Sequence, residues 1–263
     1  MFKNKSPLIT LTTDFGQRDG YVGAMRGVIL NICPEAVITD LTHQIPPQDV
    51  QTAAFILYQS FAYYPLYTIH CVVVDPGVGS KRRAIAMQTD RGIFVGPDNG
   101  VFSLVLGVPN LNISEAVTLT NTDYQLDQIS ATFHGRDIFA PTAAHLARGV
   151  LLRELGPPAI NLVRLDLIKP TNEGHSRIIH IDHFGNLVLS LTAESLINPD
   201  HTTFTIGKHT IKSLSYTFAD VDEGELLAYV GSSRNHIEIA IRNGNAAKVL
   251  GVKLGDEVTV KDT

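Results

Sequence analysis

The chain has 263 residues, 44% of them hydrophobic and 18% charged, and a formal net charge of -5 at pH 7. This length suits a medium domain followed by a small one, or one large domain. The negative charge argues against a nucleic-acid partner, which would require clustered Lys and Arg. The lack of any apolar run of about eighteen residues argues against a membrane partner.

The first part of the chain alternates strand-like and helix-like segments. Residues 21–32 have apolar side chains at helical spacing, and Pro34 ends that helix. Residues 68–74 form an almost uninterrupted apolar run, which is typical of a strand covered on both faces. The other predicted elements are strands at 8–12, 36–40, 83–89 and 92–96 and helices at 49–60 and 140–148. The alternation predicts an α/β domain with layers of helices on a sheet.

The pattern changes near residues 170–174, after which short β-like runs are separated by turn residues. These runs are residues 176–181, 187–191, 202–206, 226–230 and 237–241. They predict a small all-β, barrel-like domain. We therefore expect an N-terminal α/β domain at residues 1–170 and a C-terminal β domain at residues 171–263.

The cysteines and the N-terminus bear on location. Cys33 and Cys71 lie far apart in sequence, and neither requires an oxidising compartment, so we expect buried free thiols. Residues 1–7 lack the apolar core of a signal peptide. A cytoplasmic protein is expected.

Three loops follow predicted strands or lead into a helix, where α/β proteins collect their ligand-binding residues. Asp14 is placed equally well to cap the next helix or to bind the hydroxyls of a ribose. Asp75 and Arg82 fit either a simple ion pair that stabilises a turn or part of a reactive site. With His134, which lies in a glycine-flanked loop, they would form a proton-handling cluster.

Other classes of site are less well supported. His180 and Asp182 share one face of a strand, but no HExxH or paired-cysteine motif accompanies them, so we expect no metal. The sequence contains no GxSxG segment, so a serine hydrolase is not predicted. The turns at 182–186, 232–235 and 242–247 fit ordinary β-turns, although their polar residues would also suit a recognition surface.

Taken in order, eight short segments resemble one family over nearly the whole chain: the S-adenosylmethionine (SAM) hydroxide adenosyltransferases, relatives of fluorinase and chlorinase. The segments are residues 12–16 (TTDFG), 32–34 (ICP), 43–50 (HQIPPQDV), 74–79 (VDPGVG), 96–100 (GPDNG), 133–137 (FHGRD), 182–186 (DHFGN) and 233–234 (SR). Each is short, but eight in order across both predicted domains form a specific signal.

The resemblance implies an enzyme that uses water to split SAM into adenosine and methionine, with SAM as its substrate and no cofactor. By the same resemblance, the chain assembles as a homotrimer, with SAM between the N-terminal domain of one subunit and the C-terminal domain of its neighbour. Asp14 would bind the ribose hydroxyls. Asp75, Arg82 and His134 would form the triad that acts on the water.

In the C-terminal domain, the resemblance implies that Asp182 and Ser233 hold the methionine end of SAM, with Arg234 close by. Phe218 and Asn186 would line the adenine side. One departure concerns Arg242-Asn243, where relatives carry Asn followed by a small residue. The contacts to the adenine edge are therefore left open.

Two further departures bear on the nucleophile. The halogenating relatives carry Tyr in place of Asp75 and Ser in place of Gly135, and a carboxylate in a nucleophile pocket would repel a halide. The sequence also lacks the extra loop that fluorinase carries, since Gly92 follows Thr89 after only two residues. Hydrolysis is therefore favoured. A halide-dependent halogenase and a catalytically inactive SAM-binding sensor are the alternatives.

Overall fold

The computed structural model describes residues 6–166 and 174–261. The chain divides into two compact units, Met1–Leu165 and Asp166–Thr263. The boundary predicted near residue 170 falls in the segment 167–173, outside the described residues, and so remains a prediction. Each unit is considered separately below.

The N-terminal unit is built on a six-stranded mixed sheet. Its strands are β1 Leu8–Thr13, β2 Val37–Thr42, β3 Ile69–Val73, β4 Ala84–Thr89, β5 Ile93–Pro97 and β6 Ile113–Thr118, and its α-helices are α1 Tyr21–Ile32, α2 Val50–Ser60 and α3 Ala140–Ala147. The strand order is β2-β1-β3-β5-β4-β6. The first four strands in this order run parallel, and β4 pairs antiparallel with both of its neighbours.

Strand β3 shows why the sheet is covered on both faces. Cys71 and Val73 belong to the core beneath α1 and α3, which also contains Met25. Val72 belongs to a second core, which contains Leu57 of α2. Alternate side chains of a strand point to opposite faces, so a continuous apolar run fits burial on both sides. The prediction from residues 68–74 is confirmed.

The predicted N-terminal elements agree with the structure to within a few residues, with one omission. Strand β6 was missed because Ile113–Thr118 has only one fully buried residue, Val117. It is an edge strand that pairs only with β4 among the described strands. A mostly exposed edge strand lacks the apolar pattern that identifies a core strand. Both cysteines are free and buried, which confirms the expectation for the thiols.

The C-terminal unit is a seven-stranded antiparallel sheet that nearly closes into a barrel. Its strands are β7 His175–Ile181, β8 Leu187–Thr192, β9 Thr203–Ile206, β10 His209–Lys212, β11 Leu226–Val230, β12 His236–Ile241 and β13 Glu257–Lys261, and it has one short helix, α4 Ala246–Leu250. The order is β10-β9-β13-β7-β8-β12-β11. The two edges approach each other where Ser215, after β10, bridges Tyr229 of β11. The predicted small all-β domain is confirmed.

The core of this unit lies inside the barrel and includes Ile178, Leu189, Phe204 and Val258. Strands β10 and β13 and helix α4 were not predicted, because each is only four or five residues long. Across the described residues of both units, no helix is long and apolar enough to cross a membrane.

Candidate active site

Each unit contains a pocket that gathers residues singled out from the sequence. The N-terminal cavity has a volume of about 290 Å³. Its lining includes Asp14, Phe15, Gln48, Asp75, Phe133 and His134. Strands β1 and β3 are parallel neighbours, so the loops after them emerge at the same edge of the sheet. This edge is where open α/β sheets bind ligands.

Asp75, Arg82 and His134 form one hydrogen-bonded group at this cavity. Nε of Arg82 donates to both carboxylate oxygens of Asp75, at 3.0 and 2.9 Å, and Nη2 makes a further short contact with Asp75. Nη2 also lies 2.8 Å from Nδ1 of His134. Asp75 and His134 line the cavity, whereas the 10% exposed Arg82 lies behind them. Its guanidinium carbon sits 5.2 Å from the centre of the Phe139 ring.

The contact with Arg82 determines the protonation of His134. A guanidinium can only donate hydrogen bonds, so Nδ1 of His134 must accept, and the proton of the neutral ring lies on Nε2. Burial and the nearby Arg82 charge lower the pKa of His134, against the opposing charges of Asp75 and Asp137. At neutral pH the cavity therefore presents a neutral imidazole beside a carboxylate.

A tight loop brings Asp75 and Arg82 together. The N–H of Val78 donates to the carbonyl of Asp75 at 3.1 Å, and the N–H of Ser80 donates to that of Gly77 at 3.0 Å. Gly79 has a φ of +74°, and a Cβ there would lie 2.5 Å from the carbonyl oxygen of Ala131. Only glycine fits this backbone without displacing the loop before His134.

His134 immediately precedes an unusual helical turn. Residues Gly135–Phe139 form a π-helix in which the N–H of Ala140 donates to the carbonyl of Gly135, five residues earlier, and α3 follows directly. The Asp137 side chain is fully buried and accepts from the N–H of Ser130 at 2.7 Å. The wide turn and this anchor fix the start of the helix next to Arg82. Such π-turns occur often at functional sites.

Asp14 lies in the cavity wall directly after β1. Its Oδ2 accepts a hydrogen bond of 2.7 Å from the backbone N–H of Gln48. Gln48 has a φ of 68°, a strained backbone for a residue other than glycine. Asp14 therefore does not cap the following helix, which has no side-chain cap. The capping role considered from the sequence is therefore wrong, and binding of ribose hydroxyls by Asp14 stays a prediction.

The C-terminal pocket is larger, at about 650 Å³. Asp182, Asn186 and Phe218 line it, as does Phe184, which is 70% exposed. Oδ1 of Asp182 accepts from the backbone N–H groups of Phe184 and Asn186, at 2.9 and 2.8 Å, and Oδ2 accepts from Nδ2 of Asn186 at 2.9 Å. The turn thereby holds a carboxylate and a carboxamide side by side at the pocket wall.

The sequence analysis missed a second carboxylate in this pocket. Glu238 is 6% exposed and accepts a hydrogen bond of 2.5 Å from the hydroxyl of Tyr229. The Tyr229 ring lies 5.0 Å from that of Phe218. Burial and the charge of Asp182 raise the pKa of Glu238, although hydrogen bonds with Tyr229 and Ser233 oppose the rise. The sequence feature that could have identified Glu238 is its place as an acidic residue between apolar residues of β12.

Ser233 and Arg234 occupy different positions from the other predicted residues. Ser233 is buried and hydrogen-bonds to Glu238, behind the pocket surface, while Ser232 contributes to the lining. Arg234 has a left-handed backbone with a φ of 52° and is not among the residues that line the pocket. The structure thus brings Asp182, Asn186 and Phe218 together directly and links Ser233 to them through Glu238.

The departure at Arg242-Asn243 also has a structural outcome. Nη1 of Arg242 donates to the carbonyl of Val221 at 2.7 Å, which ties β12 to the loop after Phe218. Asn243 lines the pocket and donates to Glu223 at 2.7 Å. Arg242 therefore supports the pocket wall, and Asn243 is the residue of this pair that lines the pocket.

Residues considered as metal ligands are not gathered in the structure. Throughout residues 6–166 and 174–261, no group of three or more His, Cys, Asp or Glu side chains is arranged to hold a metal ion. The carboxylate of Asp182, one of the two residues considered, instead accepts hydrogen bonds within its own turn.

Comparisons with known proteins give a consistent result. Residues 9–156 match the family model described as the SAM hydroxide adenosyltransferase N-terminal domain, and residues 176–259 match the corresponding C-terminal domain. The (R)-S-adenosyl-L-methionine hydrolase of Salinispora tropica is 41% identical, over 97% of this chain and 98% of the relative. Fluorinase of an Actinoplanes species is 26% identical, over 98% of both chains.

The fold is also shared with a solved structure. An uncharacterized conserved protein from Thermotoga maritima superposes with a TM-score of 0.88 and is 36% identical. The match covers 96% of this chain and all of the other. Both units of the chain therefore have counterparts in one known protein.

Proposed function

The chain belongs to the SAM hydroxide adenosyltransferase family, and we propose that it hydrolyses SAM to adenosine and L-methionine. The oxygen of water forms a bond to the ribose C5′ while the bond from C5′ to sulfur breaks. The sulfur takes the electron pair and leaves as the neutral thioether of methionine, and the water loses a proton. The single observation that carries this proposal is the hydrogen-bonded group of Asp75, Arg82 and His134 at the N-terminal cavity.

The name of the Salinispora relative specifies one configuration of its substrate. The sulfonium sulfur of SAM carries three different groups and a lone pair, so it is a stereocentre. We propose the (R) sulfonium form as the substrate of this chain as well. Incubation with separated (R) and (S) forms tests this point. Faster consumption of the (S) form would contradict it.

The geometry suggests how the water is prepared. Asp75 and His134 both face the cavity, so we place the water between the carboxylate, which accepts from it, and the Nε2–H of His134, which donates to it. Arg82 holds both groups from behind. The carboxylate of Asp75 takes the proton of the water, since Nε2 of His134 already carries a proton and Nδ1 is occupied by Arg82. General-base assistance of this kind contributes about 10²–10⁴-fold.

Charge and positioning supply the rest of the rate. The sulfonium cation and a hydroxide-like nucleophile lose charge in the transition state, so a site shielded from bulk water favours their reaction. Asp75 is only 5% exposed at its side chain, which supports such shielding. Holding the two reactants in line contributes up to about 7–11 kcal/mol in the best cases.

The substrate-binding roles follow the pockets. Asp14 binds the ribose hydroxyls with the carboxylate that Gln48 holds at the cavity wall. In the C-terminal domain, Asp182 binds the methionine ammonium, and Asn186 and Phe218 contact the adenine. Glu238 adds a second carboxyl group to this pocket. Ser233 and Arg234 lie close to the methionine carboxylate.

The assembly we propose is a homotrimer, in which the N-terminal cavity of one subunit and the C-terminal pocket of a neighbour share one SAM molecule. Mixed oligomers test this arrangement. Arg82→Ala lowers kcat and Asp182→Ala raises KM, so at a low SAM concentration each variant is nearly inactive alone. Intact sites would form where an Asp182→Ala subunit supplies the N-terminal cavity and an Arg82→Ala neighbour supplies the C-terminal pocket. An equal mixture, unfolded and refolded together, should recover about a quarter of the wild-type activity. No recovery would contradict shared sites.

One assay distinguishes hydrolysis from the two alternatives. Purified protein is incubated with SAM and chloride or fluoride in water enriched in oxygen-18. Adenosine labelled at the 5′-hydroxyl supports hydrolysis, and a 5′-halogenated nucleoside would instead support a halogenase. Bound but unconsumed SAM would support a sensor. The carboxylate of Asp75, which disfavours a halide in the same cavity, is the reason to expect labelled adenosine.

A further inference from the structure

A buried polar network lies behind Asp14, and the proposed reaction makes no use of it. The hydroxyl of Thr13, the last residue of β1, is 2.9 Å from Nδ1 of His43. Nε2 of His43 is 3.0 Å from Oδ1 of Asp40 in β2. Oδ2 of Asp40 pairs with Arg26 of α1. Four side chains from three elements and one loop are thus connected in a line that ends beside Asp14.

The carboxylate of Asp40 sets the direction of the contacts in this line. Burial acts to raise the pKa of Asp40, but its interactions with Arg26 and His43 outweigh it and lower the pKa. Asp40 is therefore an anion, and its Oδ1 lies 3.0 Å from Nε2 of His43. A carboxylate at this distance favours the ring proton on Nε2, so Nδ1 accepts from the hydroxyl of Thr13. The same hydroxyl oxygen accepts from the N–H of Phe15 at 3.2 Å.

The line resembles the hydroxyl, imidazole and carboxylate of a hydrolase triad, but it cannot supply a nucleophile. Thr13 has no exposed surface, and His43 is 2% exposed. A substrate cannot reach a hydroxyl that is enclosed in this way. The Thr13 hydroxyl instead connects the residues on either side of Asp14, because it accepts a hydrogen bond from the N–H of Phe15.

A second set of contacts ties the same two segments together. The N–H of Gly16 donates to the carbonyl of His43 at 2.8 Å, and the N–H of Gln48 donates to Asp14 at 2.7 Å. The turn around Asp14 is thus fixed at its two ends by His43 and at its carboxylate by Gln48. Both ties depend on where the loop after β2 lies.

We infer that His43, oriented by Asp40, is a positioning residue for ribose recognition, since it holds the Thr13 hydroxyl and through it the turn that aims Asp14 into the cavity. This inference rests on the proposed function only for the role of Asp14. The connection from Thr13 to Asp14 is local, so loosening it moves the carboxylate without removing any group that touches the ligand.

The chain offers a matched control on the same strand. Thr10 of β1 also hydrogen-bonds to Nδ1 of a buried histidine, His70, at 2.9 Å. Thr10 and Thr13 are both fully buried. A Thr→Val change at either position removes a hydroxyl-to-imidazole hydrogen bond of the same length from the same strand, but only Thr13 adjoins Asp14.

The experiment measures binding of adenosine and of 2′,3′-dideoxyadenosine to the full chain by calorimetry. Thr13→Val should weaken adenosine binding about tenfold, equivalent to about 1.4 kcal/mol, and leave binding of the dideoxy analogue unchanged. Thr10→Val should leave both affinities unchanged. It should lower the melting temperature by about as much as Thr13→Val does. Thr13→Ser, which keeps the hydroxyl, should bind adenosine nearly as the wild type does.

Three results with the variants would overturn the inference. They are unchanged adenosine binding by Thr13→Val, equal weakening of both ligands, and an equal effect of Thr10→Val. Failure of the wild type to bind adenosine would also overturn it, together with the ribose role of Asp14. Adenosine binding without turnover of SAM would instead overturn the hydrolysis proposal alone.

Discussion

The two pockets hold their charged groups in different ways. In the N-terminal cavity, Asp75, Arg82 and His134 hold one another through side-chain hydrogen bonds. In the C-terminal pocket, Asp182 is held largely by backbone N–H groups of its own turn. Removing one member of the first set changes the protonation or charge of the others, whereas the backbone of the second remains in place when a neighbouring side chain is changed.

Because one pocket is held by side chains and the other by backbone, we expect each to control a different kinetic parameter. Groups that set one another's protonation suit a step in which a proton moves. Groups fixed by a turn suit recognition of a ligand whose shape does not change during the reaction. We therefore expect substitutions in the N-terminal cavity to lower kcat and substitutions in the C-terminal pocket to raise KM.

The largest effect is expected for Arg82→Ala, with kcat falling about 10²–10⁴-fold and KM changing little. The variant frees Nδ1 of His134 and leaves the buried carboxylate of Asp75 unpaired. The matched control is Arg83→Ala, since Arg83 pairs with Asp98 and with the carbonyl of Ile160. It should retain kcat. Steady-state kinetics that showed equal losses for both variants would break the comparison.

His134→Ala should lower kcat about 10²-fold, at the lower end of the range for proton-transfer assistance, because the water loses the Nε2–H that orients it while Asp75 can still accept its proton. The effect is smaller than that of Arg82→Ala because Asp75 and Arg82 still hold each other. His145→Ala serves as control, since His145 lies on α3 and packs against the ring of Tyr124 at 5.1 Å. A rise in KM for His134→Ala with kcat unchanged would reassign this residue to recognition.

Glu238→Gln tests the same comparison in the C-terminal pocket. It should raise KM for SAM about tenfold and leave kcat unchanged, in line with the loss of one hydrogen bond to a charged group. Glu257→Gln is the control, because Glu257 forms an exposed pair with Arg177 at 3.5 Å. If kcat fell instead, the C-terminal pocket would take part in the chemistry.

The smallest effect is expected in the pH dependence of kcat/KM. The free imidazole titrates near pH 6.5, and burial with Arg82 lowers the pKa of His134. The neutral form is therefore retained below pH 6.5, and activity should decline only at more acidic pH. The unfolded state binds this proton more readily, so the free energy of unfolding also falls as the pH drops below about 6.5. An acid limb above pH 6.5 would contradict the assignment.

Much of the fold could be predicted because its core elements have strong local patterns. Helix α1 was predicted at its observed bounds, and the apolar run of β3 indicated a sheet covered on both faces. The elements that were missed, such as β6 and β10, are short or mostly exposed. The position of β6 depends on pairing with β4, which is not its neighbour in the chain. Strand β10 forms a hairpin with its neighbour β9 but has only one buried residue, Ile211.

The candidate site was predictable where a residue type follows a strand, as for Asp14 and Asp75. The resemblance to a known family connected Arg82 and His134 to them. The sequence could not show that Arg82 lies behind the cavity wall or that His43 is buried, since burial of a polar side chain depends on tertiary packing. Glu238 in β12 was the one recognisable signal that the analysis passed over.

The π-helical turn Gly135–Phe139 makes the number of residues between His134 and α3 as important for the site as their identity. An α-helix rotates by about 100° for each residue. Deleting one residue from this turn would let α3 continue as a regular helix, and it would rotate the preceding backbone by that angle around the helix axis. Asp75, Arg82 and His134 would all be retained, yet the imidazole of His134 would point away from Arg82. A single-codon deletion here is therefore expected to abolish catalysis while leaving the sheet intact.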